Sequence, residues 1–175
     1  LTGVNTSSGT KPRIYYKKST DADAFAGNTN ADNGWKWVQI SNAVSPYDFT
    51  LDYTLLHLSP SGAVLGDVIQ YFVVAQDLYF LPNVSINSGT FEEQPSSVDL
   101  SAANFPILGT INSYSILGGI SGTIYVGSGQ TYTSLTANSA EGLFNELNTS
   151  IIAGDITVRI TSNLTETGAV ALNQT

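Results

Sequence analysis

The apolar residues of this chain lie in short segments, and each segment ends at a cluster of Asn, Asp, Ser or Gly. Of all the features of the sequence, this arrangement most restricts the folds that the chain can adopt. One such segment is VIQYFVVAQ, between Asp67 and Asp77. Segments of this length are typical of strands, and the residues between them are typical of turns. Of the 175 residues, 53 are Ser, Thr or Asn and 11% are charged, so good surface helix formers are scarce. The sequence therefore predicts a mainly β fold.

Individual strands and one helix are also predicted. Residues 47–53 alternate apolar with acidic or hydroxyl side chains, which is the period-two pattern of a strand with one buried face. Further strands are expected in the segments KPRIYYKK, WKWVQI, VIQYFVVAQ and DITVRI. A short helix is expected after Asn138, which can cap it, with Leu143, Phe144 and Leu147 as its apolar stripe.

The charge balance excludes several classes of partner. The chain carries 14 acidic and 6 basic residues, and its net charge of −8 disfavours nucleic acid. No apolar run approaches the roughly 18 residues of a membrane span. The absence of Cys excludes disulfides and thiolate chemistry. Five of the six bases precede Trp37, and we interpret them as an exposed basic strand, with a basic binding stripe as the alternative.

None of the motifs that carry catalysis is complete. His57 is the only histidine, and without Cys it has no usual partner for a zinc site. The GISGT segment at Gly119 departs from G-x-S-x-G at its last position. Asp48 and Asp52 would lie about 13 Å apart on a strand, beyond the roughly 5–9.5 Å of paired glycosidase carboxylates. We therefore expect no enzyme activity, and no cofactor other than a calcium ion.

The loop after KPRIYYKK is the candidate calcium site, because it offers many side-chain oxygens. Its spacing of Asn and Asp resembles the start of an EF-hand loop, but Asn33 occupies the position that requires Gly. The alternative is that these residues only form turns. The candidate ligands are Asp21, Asp23, Asn28, Asn30 and Asp32.

Four aromatic residues form the candidate ligand-binding site. Trp35 and Trp37 share one face of their predicted strand, and with Tyr15 and Tyr16 they would stack on a sugar ring. The alternative is that these rings belong to the core. Val38 lies on the other face, and the pattern does not say which face is buried.

The segments KPRIYYKK, DNGWKWVQI, YDFTLDY and GDVIQYFVVAQD resemble an immunoglobulin-like or fibronectin-type-III-like module of large secreted surface proteins of Bacteroidota-type bacteria. GTIYVGSGQTYTSL, the helix around Leu143 and GDITVRITSNLTE resemble the segment that opens a right-handed parallel β-helix in those proteins. The resemblance implies an immunoglobulin-like β-sandwich, lacking its first strands, over residues 1–104. Over residues 105–175 it implies a β-rich segment with one short helix, similar to a β-helix cap.

The resemblance also implies a function. It points to a non-catalytic structural or adhesive module of a secreted, extracellular or cell-surface protein, as part of a larger chain or filament. The expected partners are neighbouring domains or protomers, joined through exposed strand edges, and surface glycans. Both ends look cut in this comparison, so we expect an internal fragment, or a unit completed by strands of a neighbour. The alternatives are a carbohydrate-binding module of a secreted polysaccharide-degrading enzyme, and a hydrolase whose active site lies beyond Thr175.

Overall fold

The computed structural model describes residues 3–58 and 62–173, and it is mainly β, as predicted. Strands make up 32% and helices 8%, with one α-helix in the described ranges. The chain divides into two compact units, Leu1–Ile116 and Leu117–Thr175. Each unit has its own apolar core.

The described part of the first unit contains seven strands. In chain order they are β1 (Arg13–Lys18), β2 (Lys36–Gln39), β3 (Val68–Gln76), β4 (Val84–Ile86), β5 (Thr90–Phe91), β6 (Ile107–Leu108) and β7 (Asn112–Ser115). In the main sheet β1 lies between β2 and β3, while β4 and β7 share the other edge of β3. A small second sheet pairs β5 with β6, and every pairing in this unit is antiparallel. The apolar segment VIQYFVVAQ is therefore the central strand, as its sequence predicts.

Apolar residues cover both faces of the main sheet. Tyr15 on β1 and Phe72 on β3 face a cluster that contains Trp35, whereas Tyr16 faces a second cluster that contains Ile69. All five residues are fully buried. Because adjacent residues of a strand point to opposite faces, a sheet covered on both sides requires continuous apolar runs. This explains why KPRIYYKK and VIQYFVVAQ do not alternate.

Residues 47–53 alternate in burial, as predicted, but they do not form a strand. Their aromatic and leucine side chains are half-buried and the residues between them are exposed. The segment pairs with no other strand in the part of the chain that the structure describes, and a 3-10 turn begins at Tyr53. Asp52 caps this turn, because its carboxylate accepts the N–H and the hydroxyl of Thr54 at 3.0 and 2.6 Å. The strand prediction is wrong because alternation reports burial alone, whereas a strand also needs a partner for its backbone.

Residues 105–116 fold with the first unit, although the sequence-based division into modules lies between residues 104 and 105. Phe105 and Ile107 are buried in the same cluster as Trp35. β7 then pairs with β3 over four residues. The segment therefore completes the core of the first unit.

The second unit is built on a parallel pair of strands. In its described part, these are β8 (Gly119–Val126) and β9 (Ile151–Ile160), joined by a crossover that contains helix α1 (Leu143–Thr149). Similar residues lie opposite one another, with Thr123 paired to Thr157, Ile124 to Val158 and Val126 to Ile160. The two strands thus occupy matching positions in successive turns of the chain.

Helix α1 begins later than the sequence predicts. It starts after Gly142, which is its N-cap residue, rather than after Asn138. The capping prediction is wrong because a turn intervenes, in which the N–H of Gly142 donates to the carbonyl of Ser139 at 3.0 Å. The apolar stripe is confirmed, since Leu143 and Leu147 are buried in the core of the second unit.

The carboxylate of Glu166 is hydrogen-bonded to residues 134–136, which lie earlier in the second unit. Its carboxylate accepts the N–H groups of Leu135 and Thr136 at 2.8 Å each. It also accepts the hydroxyls of Ser134, at 2.8 Å, and Thr136, at 2.5 Å. The Leu135 N–H first, and then the Thr136 hydroxyl, lower the pKa of Glu166 to about 2. The ionised carboxylate therefore stabilises the second unit.

We expect the second unit to lose stability as the pH falls from about 4.5 towards 2. A depressed carboxyl pKa contributes stability that is present above the unfolded value and is lost as the pH falls through the folded value. Thermal unfolding of the wild-type and Glu166→Gln chains at about pH 7 and pH 3 measures this effect. The variant should show the smaller acid-induced decrease in melting temperature, and equal decreases in the two chains would contradict the assignment.

Candidate functional site

β1, β2 and the loop that joins them contain all nine predicted site residues. Two aromatic members of the set, Tyr15 and Trp35, pack against Phe72 of β3. The ring of Tyr15 stacks on Phe72 with a centroid separation of 5.3 Å. The ring of Trp35 meets Phe72 edge-on at 4.7 Å. Phe25 from the loop and Phe105 also pack in this cluster, so the rings form one continuous core.

Asp23 ties the loop to this core. Its Oδ1 atom accepts the indole N–H of Trp35 at 2.7 Å and the backbone N–H of Ile107 at 3.2 Å. A buried indole N–H needs an acceptor, and Asp23 supplies it. The carboxylate therefore fixes the rotamer of Trp35 and joins the loop to β6.

The Tyr15 hydroxyl has a similar structural role. It donates to the carbonyl of Val98 at 2.8 Å and accepts the N–H of Leu100 at 3.0 Å. Burial raises the pKa of Tyr15, and the bond from Leu100 opposes this only in part. The hydroxyl is therefore saturated by backbone groups and stays protonated.

The structure does not bring the four aromatic candidates together as a sugar-binding surface. Tyr15, Tyr16 and Trp35 have no exposed surface, and Tyr16 lies on the opposite face of the sheet from Tyr15. Trp37 is half-buried, and the guanidinium of Arg13 lies 3.7 Å from its ring centroid. Burial of the three rings leaves them no face on which a sugar can stack.

Two buried lysines organise the loop. The ammonium of Lys36, which is fully buried, donates to the carbonyls of Asp32 at 2.6 Å and Gly27 at 3.3 Å. Lys17 donates to the carbonyl of Asp21 at 3.0 Å and lies 5.3 Å from the ring centroid of Trp35. Burial lowers the pKa of both lysines. The loop thus wraps its backbone oxygens around the chain's own cations.

The candidate calcium ligands instead hold the loop in shape. The carboxylate of Asp32 accepts the N–H and the hydroxyl of Thr29, whose hydroxyl is the main cause of the lowered pKa of Asp32. Asn28 bonds through its amide to the backbone of Trp37 in both directions, at 2.8 and 3.1 Å. The carboxylate of Asp21 accepts the N–H of Lys18, and the carbonyl of Asn30 accepts the N–H of Leu58.

The three candidate carboxylates belong to Asp21, Asp23 and Asp32. In residues 3–58 and 62–173, no three acidic or histidine side chains gather so as to hold a metal ion. Each of the three carboxylates accepts a donor of the chain itself. Calcium binding here stays a prediction, and it would require these internal bonds to be exchanged for ligand bonds.

The basic residues of the first unit are the part of this site that sequence reasoning missed. Arg13, Lys17 and Lys36 are buried, with at most 7% of their surface exposed, so the interpretation as an exposed basic strand or stripe is wrong. Lys17 and Lys36 lie next to aromatic residues in β1 and β2, and an acidic, carbonyl-rich loop follows β1. That combination was the available signal, since a buried cation requires bonded partners.

No protein-family model, no curated protein and no solved structure matches this chain. None of the helices in the described ranges has the length and apolar composition that crossing a bilayer requires.

Proposed function

We propose that this chain is a non-catalytic structural or adhesive module of a secreted cell-surface protein. In this proposal the first unit is an immunoglobulin-like sandwich, and the second is the opening coil of a right-handed parallel β-helix. Neighbouring domains or protomers are its partners, through strand edges.

The two faces of the main sheet support the sandwich assignment. One face packs against a layer that includes Val98, Leu100 and Phe105, and the small sheet of β5 and β6 contributes Ile107 to that layer. Sheet-on-sheet packing of this kind is the architecture of a sandwich. The layer on the other face is built from Leu51, Leu56 and their neighbours rather than from a further sheet.

The parallel pair supports the β-helix assignment. A parallel connection through a crossover is the basic step of a solenoid, in which each turn stacks on the one before. Thr123 on Thr157 and Ile124 on Val158 are the like-on-like stacks expected of successive coils. Inward residues such as Ile124 and Ile156 pack with α1, while Thr123 and Thr157 face outwards.

The proposal depends mainly on one observation, which is that the conspicuous polar side chains are hydrogen-bonded to other groups of the same chain. Asp23 holds an indole and a strand amide, Lys36 holds two loop carbonyls, and Tyr15 joins β1 to the 98–100 segment. In the second unit Glu166 is bound in the same way to an earlier turn. Groups bonded in this manner determine shape, and they are not free to bind or transform a substrate.

A glycan array and a panel of polysaccharide substrates test the proposal, using the wild-type chain and Trp37→Ala. Trp37 is chosen because it is the partly exposed member of the aromatic candidates. We expect no hydrolysis products, and the same array signal from both chains. Saturable binding that Trp37→Ala removes would favour a carbohydrate-binding module, and reaction products would favour an enzyme. Either result would overturn the proposal.

A further inference from the structure

The loop that joins β3 to β4 presents four consecutive apolar residues to solvent. They are Leu78, Tyr79, Phe80 and Leu81, and we call them the apolar tip. Phe80 is 98% exposed and Leu81 is 81% exposed, so both side chains lie almost wholly in water. Single exposed apolar residues are common on protein surfaces, but a contiguous patch of large ones marks a binding surface. The apolar tip is therefore a candidate interaction surface.

Hydrogen bonds at the base of the loop hold the apolar tip in place. The carboxylate of Asp77 accepts the N–H of Tyr79 at 3.2 Å and the N–H of Asn83 at 3.0 Å, and it also accepts the side-chain amide of Asn83. The N–H of Asp77 donates to the carbonyl of Asn83 at 3.2 Å. Because the loop is closed in this way, little conformational freedom has to be lost when the tip binds.

The small size of the apolar tip argues against a second copy of this chain as its partner. A stable protein interface covers about 800 Å² on each side. An aromatic side chain covers about 150–250 Å², so the whole tip offers on the order of 500 Å². Two tips that met about a twofold axis would bury too little surface to hold two copies together. A lipid bilayer needs no matching shape, because its acyl chains accommodate any apolar side chain that reaches them.

The backbone of the loop is also suited to an apolar environment. A backbone N–H that enters a bilayer without an acceptor costs free energy. The N–H groups of Tyr79 and Asn83 are already bonded to Asp77, and Pro82 has no N–H. Entry into a bilayer therefore leaves fewer unpaired donors than it would in a loop without these residues.

The charge of the loop determines which lipid surface it fits. Asp77 is its charged residue, and residues 77–83 include no Lys or Arg. The side-chain amide of Asn83 is the main cause of the lowered pKa of Asp77, so the carboxylate stays ionised. An ionised carboxylate remains at the headgroup level, which limits insertion to the tip, and anionic headgroups repel it. Zwitterionic lipid is the surface that fits.

We propose that the apolar tip inserts into the interface of a bilayer with zwitterionic headgroups. Phe80 and Leu81 then lie among the acyl chains, and Tyr79 lies at the headgroup level, which suits an apolar ring with a polar hydroxyl. The loop rests in the surface and does not span the bilayer. This inference deepens the proposed adhesive function, on which it rests, by naming a lipid surface as the target of the module.

Flotation of the 175-residue chain with phosphatidylcholine vesicles tests the proposal. The wild-type chain should float with the vesicles. Phe80→Ala and Leu81→Ala should each lower the vesicle partition coefficient by roughly tenfold or more, because each removes apolar area that the bilayer covers. Replacing part of the phosphatidylcholine with anionic phosphatidylglycerol should weaken binding of the wild-type chain.

Leu65→Ala is the matched control. Leu65 is 70% exposed, but it precedes β3, whereas Leu81 follows that strand. The substitution therefore removes the same atoms from an exposed leucine outside the apolar tip. It should leave the partition coefficient at the wild-type value.

Phe80→Trp gives a second readout, which reports the position of the tip in the bilayer. Its tryptophan emission should shift to shorter wavelength on addition of vesicles, and phosphatidylcholine brominated on its acyl chains should quench it. Leu65→Trp carries the same two native tryptophans and should show neither change.

Three outcomes would overturn the inference. The wild-type chain could remain in the aqueous fraction at every lipid concentration. Vesicle binding could be unchanged by Phe80→Ala and Leu81→Ala, or could rise with phosphatidylglycerol. Association between copies that the same two variants abolish, without vesicle binding, would assign the apolar tip to a protein partner instead.

The inference and the proposed function can fail separately. Phosphatidylcholine vesicles carry no glycan, so they report insertion of the apolar tip alone. The glycan array and the polysaccharide panel contain no bilayer, so they report sugar binding and hydrolysis whatever the loop does.

Discussion

Trp35→Ala is expected to lower the free energy of unfolding of the first unit by about 3–5 kcal/mol, the usual cost of emptying a large aromatic site in a core. Trp35 has no exposed surface and packs against Phe72 and Phe105. Its removal also takes the indole donor away from Asp23. Urea unfolding followed by far-UV circular dichroism measures the change, because tryptophan fluorescence itself is altered by the substitution.

Trp37→Ala is the matched control for that experiment. Trp37 lies in the next strand position facing the same way, but it is half-buried and its ring contacts the guanidinium of Arg13. We expect it to cost less than half as much as Trp35→Ala. Equal losses would mean that the two indoles are equivalent, and would contradict the assignment of Trp35 to the core.

Raising the pH above about 10 is expected to destabilise the first unit steeply. Burial raises the pKa of Tyr15 and of Tyr16, whose hydroxyl donates to the carbonyl of Asp52 at 2.7 Å. An unfolded chain loses tyrosine protons near pH 10, so above that pH the folded state binds more protons. The stability is complete below the unfolded pKa and is lost as the pH rises, by about 1.4 kcal/mol per pH unit for each tyrosine. Urea midpoints measured from about pH 8 upwards give the slope.

Tyr16→Phe should reduce the alkaline slope, which is the loss of unfolding free energy per pH unit, by the contribution of one tyrosine. Tyr79→Phe, which removes the hydroxyl of an exposed ring, should leave the slope unchanged. Lys17 and Lys36 act in the opposite sense, because burial lowers their pKa and stability rises as they deprotonate, in the range up to about pH 10.5. An alkaline slope unaffected by Tyr16→Phe would contradict the role of that buried hydroxyl.

The strands that sequence reasoning predicted best are those buried on both faces. β3 carries an almost continuous apolar run, and β1 contains three successive buried apolar residues from Ile14 to Tyr16. Burial on two sides leaves few other structures for such runs. Residues 47–53 show the limit of the same reasoning. Their side chains alternate as a strand's would, yet no strand of the described residues pairs with their backbone. Whether a partner strand is present depends on contacts distant in sequence.

The candidate site was harder to predict than the fold, for a related reason. The sequence shows which residues have oxygen atoms or aromatic rings, but not which partner each of them meets. Asp23 suggests a metal ligand until its carboxylate is seen to hold the indole of Trp35. Lys36 suggests a surface cation until its ammonium is seen among loop carbonyls. In both cases the bonding partner lies across a loop, and the conformation of that loop cannot be predicted from the local sequence pattern.

Because the ammonium of Lys36 is buried, its chemical accessibility reports whether the loop between β1 and β2 is closed or open. Amine-directed labels act on side chains that they can reach, and Lys36 is fully buried whereas Lys11 and Lys18 are partly accessible. Modification of the Lys36 ammonium therefore requires the loop to open. Its rate, followed by mass spectrometry, measures local opening separately from unfolding of the sheet.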